Sequence, residues 1–351
     1  MKTILITLLG SLLLLHSCNR NKAMDIENKE NFPYMVTFSA ATDFPSEVHE
    51  GFLADDKKQL ICGVPKAGKE EGPWQSDGSE AGMGGDIIPA HLDLTYVSYA
   101  EKKFWRVDAE LPRAKILAAF RKGFIVKGTP GEKGNQSLVH ETFGRLTIGA
   151  APGGVIVVWL SKIHHRIEIC RLQAKEVLIN KDDFRPNPDP EETKEQFFDT
   201  FYKVSVSDSM KAEIAKNGIP YGLWDKYREK FSYRFLLRPY DEKDHFTFQS
   251  QQYFNGEANL FYPPYFDKNE YITASLPYIL NAGFTTYNTE IHFDFEETLK
   301  TFKALQEKHA KEPIDIVLTP TFQYNRIKVS VKCRDTEIPL AKANVKQIWG
   351  G

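Results

Sequence analysis

The chain has 351 residues, 42% hydrophobic and 26% charged, a balance that excludes a disordered, collagen-like or coiled-coil protein. Forty-five Lys and Arg against 47 Asp and Glu leave a formal net charge of −2, so no global positive field is present to hold nucleic acid. At this length a core needs no disulfide or metal staple, and one large domain or two ordinary ones both fit.

Met1-Lys2-Thr3 carries one positive charge, and Ile4 to Leu15 is apolar except for Thr7, Gly10 and Ser11. A membrane span needs about 20 apolar residues, so this shorter run reads as the hydrophobic region of a signal peptide over 1–17. Leu15-His16-Ser17-Cys18 resembles a bacterial lipobox, with His16 departing from the usual small or aliphatic residue. The resemblance implies a lipid on Cys18 as the membrane anchor, since each buried methylene contributes about 0.8 kcal/mol and several acyl chains hold firmly. A polar tether over 18–32 follows, and its first fourteen residues or so reach roughly 45 Å if extended. By analogy with lipoprotein sorting, the absence of Asp after Cys18 points to the periplasm, on the inner leaflet of the outer membrane. The remaining Cys62, Cys170 and Cys333 are an odd number in apolar surroundings and read as small buried hydrophobes.

Alternation predicts strands at Tyr34–Phe38, Leu92–Val97, Phe104–Val107 and Arg145–Ile148. Gly78 to Asp86 is glycine-rich without an accompanying lysine and reads as a mobile loop, with Trp74 a candidate anchor on a flexible lip. A helix begins at Leu111-Pro112, carries Ile116, Leu117 and Phe120 on one face and stops at Gly123. Val155–Leu160 is continuously apolar, which predicts a central strand buried on both faces and joined as a hairpin through Ala151-Pro152-Gly153-Gly154. Arg166–Leu172 is the next strand. These elements form a first domain over 33–183.

Phe184 to Pro190 places three prolines at alternate positions and breaks the chain. Helices are expected at Glu191–Val204 and Ser207–Lys216, so 184–218 is a proline-rich linker with helices. A second domain over 219–351 begins with a helical turn on which Trp224 and Tyr227 share one side and Asp225 and Arg228 the other. Within it, Thr289–Phe295, a helix over 296–310, Ile314–Thr319 and Arg326–Cys333 follow the same strand, helix, strand, strand order as Phe104–Glu110, the Pro112 helix, Arg145–Ala150 and Val155–Ser161. The expected fold class is therefore α+β, predominantly antiparallel sheets with a few helices, in two related β-α-β-β-containing halves.

Pro89–Tyr99, the stretch from Phe104-Trp105 to Leu111-Pro112, Ala151–Leu160 and Ile219–Arg228 together resemble the bacterial lipoprotein family catalogued as domain of unknown function 2931. The resemblance covers about residues 33–240 and carries no established activity, catalytic residue or cofactor. It implies an envelope setting, and by analogy with small periplasmic lipoproteins of similar plan, a toxin-neutralising or envelope-binding role.

The chain has no Gly-x-Ser-x-Gly elbow, His-Glu-x-x-His, Ser-x-x-Lys or complete phosphate-cradling Gly-x-x-x-x-Gly-Lys-Ser/Thr, and no cofactor or metal is implied. His91 and Asp93 share a strand face, and His164-His165 stands at a turn, but neither has a second pair at ligand spacing. Aromatic residues crowd Tyr253, Phe254, Phe261, Tyr262, Tyr265, Phe266 and Tyr271, with Pro263-Pro264 between them. Tyr253, Phe261, Tyr262, Tyr265 and Phe266 join Trp74 as candidate binding residues, because such rings stack on sugars or anchor protein contacts. The expectation is a protein-binding module, with glycan binding through the aromatic stretch as the second reading and an unrecognised hydrolase as the third.

Overall fold

A computed structural model describes residues 28–128, 138–185, 189, 191–310 and 312–350. Cys18, the signal run and Pro186, Pro188 and Pro190 of the break lie outside the described residues.

The first half forms two sheets around one core, each with five strands in line; Lys69–Glu70 adds a short sixth strand on Ser46–Ala54, and Phe124–Lys127 pairs with Leu138–Glu141 as a separate hairpin. One sheet runs, edge to edge, Ser79–Ile87, Asn31–Ala40, Arg145–Ala151, Val155–Lys162, His165–Gln173; the other runs Lys175–Val177, Lys103–Glu110, His91–Ser98, Ser46–Ala54, Leu60–Gly63. Asn31–Ala40 pairs parallel with Arg145–Ala151, and the remaining neighbours are antiparallel. Phe38, Leu146, Ile148 and Val158 from the first sheet meet Leu53, Leu92, Leu94 and Val107 from the second in one buried cluster. The Arg113–Lys122 helix adds Ile116, Leu117 and Phe120 to it, as the spacing predicts. Each such side chain contributes about 1.5–3 kcal/mol on full burial.

The second half repeats the five-strand order of both sheets, without a counterpart of the short Lys69–Glu70 strand or of the hairpin among the described residues. Its sheets run Ile272–Ser275, Lys230–Leu237, Ile314–Pro320, Ile327–Cys333, Thr336–Pro339 and Asn344–Gly350, Tyr287–His292, Pro277–Gly283, Phe248–Tyr253, Ala258–Phe261. Lys230–Leu237 again pairs parallel with Ile314–Pro320 in the place of Asn31–Ala40 and Arg145–Ala151. The Phe295–Lys308 helix again closes the core, with Phe295, Phe302 and Leu305 buried against Tyr233, Phe235, Leu280 and Ile316. Both units thus have the same order of the ten main strands, the first with a hairpin inserted after its helix, and the fold is α+β as the pattern predicts.

The units join edge to edge. His165–Gln173 of the first meets Ala258–Phe261 of the second through the Arg166↔Ala258 pair, making a continuous ten-stranded sheet. Val155–Lys162 sits inside that sheet with both faces covered: Ile156, Val158 and Leu160 enter the first core, while Val155, Val157 and Trp159 face a separate cluster shared with helices. Those helices, Lys194–Ser205, Asp208–Asn217 and the turn Leu223–Lys226, connect the units. A capping box between Thr193 and Gln196 starts the first, Ser207 caps the second, and Gly218 at φ 76° ends it.

One expectation is corrected. Gly78–Asp86 is not a loop: Ser79–Ile87 is an edge strand paired antiparallel with Asn31–Ala40. Its glycines permit close approach to the neighbouring backbone, since a Cβ on Gly84 would stand 2.5 Å from the Tyr34 carbonyl oxygen. The glycines conceal a strand that a propensity argument reads as a turn. Cys62, Cys170 and Cys333 are free thiols; Cys62 and Cys333 are buried and Cys170 is partly so.

Candidate binding cleft

The seam between the units opens into a cleft of about 380 Å³ lined by Trp74, Met210, Trp224, Tyr227, Phe254 and Tyr278, with Asp43, Gln75, Glu213 and Asn217 among its polar groups. Four chain regions meet there: the turn after Asn31–Ala40, the segment carrying Trp74, the connecting helices and the second unit's sheet. Trp224 stands edge-on to Phe44 at 5.4 Å and to Trp74 at 6.5 Å, and Tyr227 lies against Phe254 at 5.3 Å. The expected sharing of one helical side by Trp224 and Tyr227 holds, with ring centroids 6.5 Å apart, while Arg228 Nη1 lies 3.6 Å from Asp225 Oδ1. Burial, then the nearby Glu296, pushes the Tyr227 hydroxyl up to about 12, so the phenol stays neutral at physiological pH.

Trp74 is 2% exposed and forms the inner wall rather than a surface lip. Its ring meets Trp159 edge-on at 4.8 Å, and its backbone N–H donates to Thr42 Oγ1 at 3.1 Å. Room for the two indoles comes from Gly149, where a Cβ would stand 2.4 Å from Trp159 and 2.9 Å from Trp74. Arg166 secures this arrangement. Its guanidinium carbon lies 4.0 Å over the Trp159 ring, and Nη1 donates to the carbonyls of Trp74 at 3.1 Å and Ser76 at 2.9 Å. Burial pushes the Arg166 guanidinium down to about 10, partly offset by Asp77, and it remains charged at pH 7. Gln75 ties the segment to the second unit through the Phe254 carbonyl at 3.5 Å and also lines a polar hollow of about 220 Å³ that holds Arg166, Asp77 and Glu257.

The aromatic stretch lies elsewhere. Tyr253 is buried in the second core with its hydroxyl donating to Gln251 Oε1 at 2.8 Å. Phe261 stacks on Tyr265 at 4.3 Å, Tyr265 meets Phe266 edge-on at 5.5 Å, and Tyr262 lies 4.6 Å beneath the Lys127 ammonium of the first unit. These four rings are half-buried, and of the aromatic residues from Tyr253 to Tyr271 only Tyr271 is exposed. The structure therefore brings Trp74 together with Phe254, and not with Tyr253, Phe261, Tyr262, Tyr265 or Phe266. Met210, Trp224, Tyr227 and Tyr278 were not among the candidate binding residues; the Trp224-x-x-Tyr227 spacing was the one signal available, and it marks packing as readily as a site.

The histidine groups are taken up by neighbours. His91 Nε2 lies 2.7 Å from Asp108 Oδ1, and Asp93 accepts two hydrogen bonds from Arg106. His165 is buried and stacked on Phe124 at 4.0 Å; burial, then His164, lowers it to about 4. Among the described residues no group of three His, Cys, Asp or Glu side chains is placed to hold a metal ion.

A family model described as a protein of unknown function, DUF2931, matches residues 20–222. The chain belongs to DUF2931. No curated protein and no solved structure matches it. The DUF2931 span takes in the first unit and most of the connecting helices, so it carries Trp74 and Met210, whereas Trp224, Tyr227, Phe254 and Tyr278 stand beyond it.

Proposed function

We propose that this DUF2931 protein is a lipid-anchored protein-binding module of the periplasm, and that a partner's apolar side chains enter the cleft at the seam. The observation that carries the reading is the cleft itself. Aromatic walls from both units and from the connecting helices surround a space that fits one or two large side chains, with Asp43 and the mutually bonded Glu213 and Asn217 on its polar side. Buried aromatic pockets with a polar rim are where protein interfaces concentrate their affinity. The leader pattern before Cys18 supports the anchor, and no helix among the described residues is long and apolar enough to cross a membrane.

The test uses the chain from Lys22 as bait in envelope extracts and secreted fractions, beside an Asn217→Trp variant. Asn217 is exposed at a helix end, so a bulky ring there blocks the cleft at little cost to folding. A partner recovered stoichiometrically by the parent and lost by the variant supports the reading. Recovery indifferent to Asn217→Trp, or no partner with bait shown to be folded, overturns it.

A further inference from the structure

The repeated strand order gives the turns between the main strands of one unit counterparts in the other. Three turns define one end of each unit: those after Asn31–Ala40, His91–Ser98 and Arg145–Ala151 in the first, and after Lys230–Leu237, Pro277–Gly283 and Ile314–Pro320 in the second. In the first unit this end is covered by the connecting helices. Ala41, Phe44, Ala100 and Ala151 are buried in one cluster with Val206 and Trp224, and Tyr99 stacks on Phe201 at 5.3 Å. In the second unit the corresponding turns surround an open pocket of about 230 Å³ whose rim includes Tyr240, Thr286 and Phe322.

Tyr240 and Phe322 are 59% and 56% exposed, with their rings edge-on at 5.6 Å. Behind them Tyr287 and Tyr324 stack at 4.6 Å, and Tyr324 holds a φ of 55°, a conformation that a bulky residue rarely adopts. Paired exposed rings over an aromatic floor leave apolar area in water that a partner can remove. Among the charged residues lining the pocket, Asp241 and Asp244 stand against Lys243, which makes this rim net acidic.

We propose that the turn end of the second unit docks an amphipathic helix of a partner protein, one bearing aromatic side chains at i, i+3 or i+4 spacing with basic residues beside them. The chain supplies its own precedent, because the equivalent end of the first unit is closed by helices carrying Phe201, Tyr202 and Trp224. Helical spacing aligns two rings along one face, and the acidic rim favours Lys or Arg at the flanks. This site shares no residue with the cleft at the seam, so each proposal stands or falls without the other.

The test pans a displayed library of helical peptides on the full chain and removes clones that still bind a Tyr240→Ser/Phe322→Ser double variant. Because both rings are exposed, the variant should melt within about 2 °C of the parent. Thr286→Trp, which fills the pocket and leaves the rings in place, serves as a second variant. Surviving clones should carry aromatic residues at helical spacing beside basic ones, and should lose tenfold or more in affinity on both variants while binding Asn217→Trp normally. The proposal is overturned if no clone discriminates the parent from both variants, or if discriminating clones lack the helical spacing. It is equally overturned if a glycan array yields a sugar that needs Tyr240 and Phe322 while no helix competes.

Discussion

In the first unit the turns at Ala41, Ala100 and Ala151 lie beneath helices, whereas the corresponding turns of the second unit, at Tyr240, Thr285 and Phe322, meet solvent. The strand order is the same, so topology does not decide which end of a sandwich becomes core. What differs is what covers the turns: the connecting helices bury Trp224 against Ala41, Phe44, Ala100 and Ala151 at the first end, while Tyr240 and Phe322 leave apolar rings in water at the second. The helices lie in sequence between the units and close over the first, and in doing so they build one wall of the cleft against the second.

Truncation of the paired positions should separate the ends most widely. Trp224→Ala should cost about 3–5 kcal/mol, since the ring is 4% exposed and touches Phe44, Trp74 and Tyr227, whereas Phe322→Ala should stay within about 0.5 kcal/mol. Urea denaturation measures both, and comparable losses would break the comparison. A second contrast is confined to the first unit and appears in the pH dependence. His165 is neutral when folded down to about pH 4, against an ordinary 6.5, so between those values the unfolded chain binds the extra proton. The stabilisation it gives is complete above about pH 6.5, and on the order of 3 kcal/mol should be lost as pH falls to about 4. His165→Leu should flatten the stability profile over that window, and an unchanged profile would place the loss in other groups.

Smaller effects sharpen the account of the seam. Gly149→Ala should cost about 1–3 kcal/mol, because the added carbon must displace Trp159 or Trp74, and near-ultraviolet circular dichroism should report the shifted indoles. A double-mutant cycle on Arg228 and Glu168, which are bonded at 2.7 and 3.0 Å, should return about 1 kcal/mol that diminishes with salt. A coupling that does not respond to salt would mean that water does not screen the pair.

Much of the local structure is legible in the sequence. The alternation at His91–Ser98, the buried run at Val155–Lys162, the helix over 113–122 and the repeated strand, helix, strand, strand order all follow from spacing along the chain. Far less of the site is legible. The glycine-rich run beside Trp74 suggests a surface lip, yet Gly82, Gly84 and Gly85 are strand residues, and the Trp74 ring is buried because Gly149, distant in sequence, leaves it space. Phe254 and Tyr278 join the cleft from the second unit, which meets the first where Arg166 and Ala258 pair across the seam.

What the amino-acid sequence by itself determined is the type and order of the elements, because periodicity and end signals act over a few residues. Tertiary structure alone decided which strands are neighbours, which end the helices cover and where aromatic rings from distant segments converge. Those outcomes rest on contacts between residues far apart in the chain, such as Asn31–Ala40 pairing with Arg145–Ala151, and no local pattern encodes them.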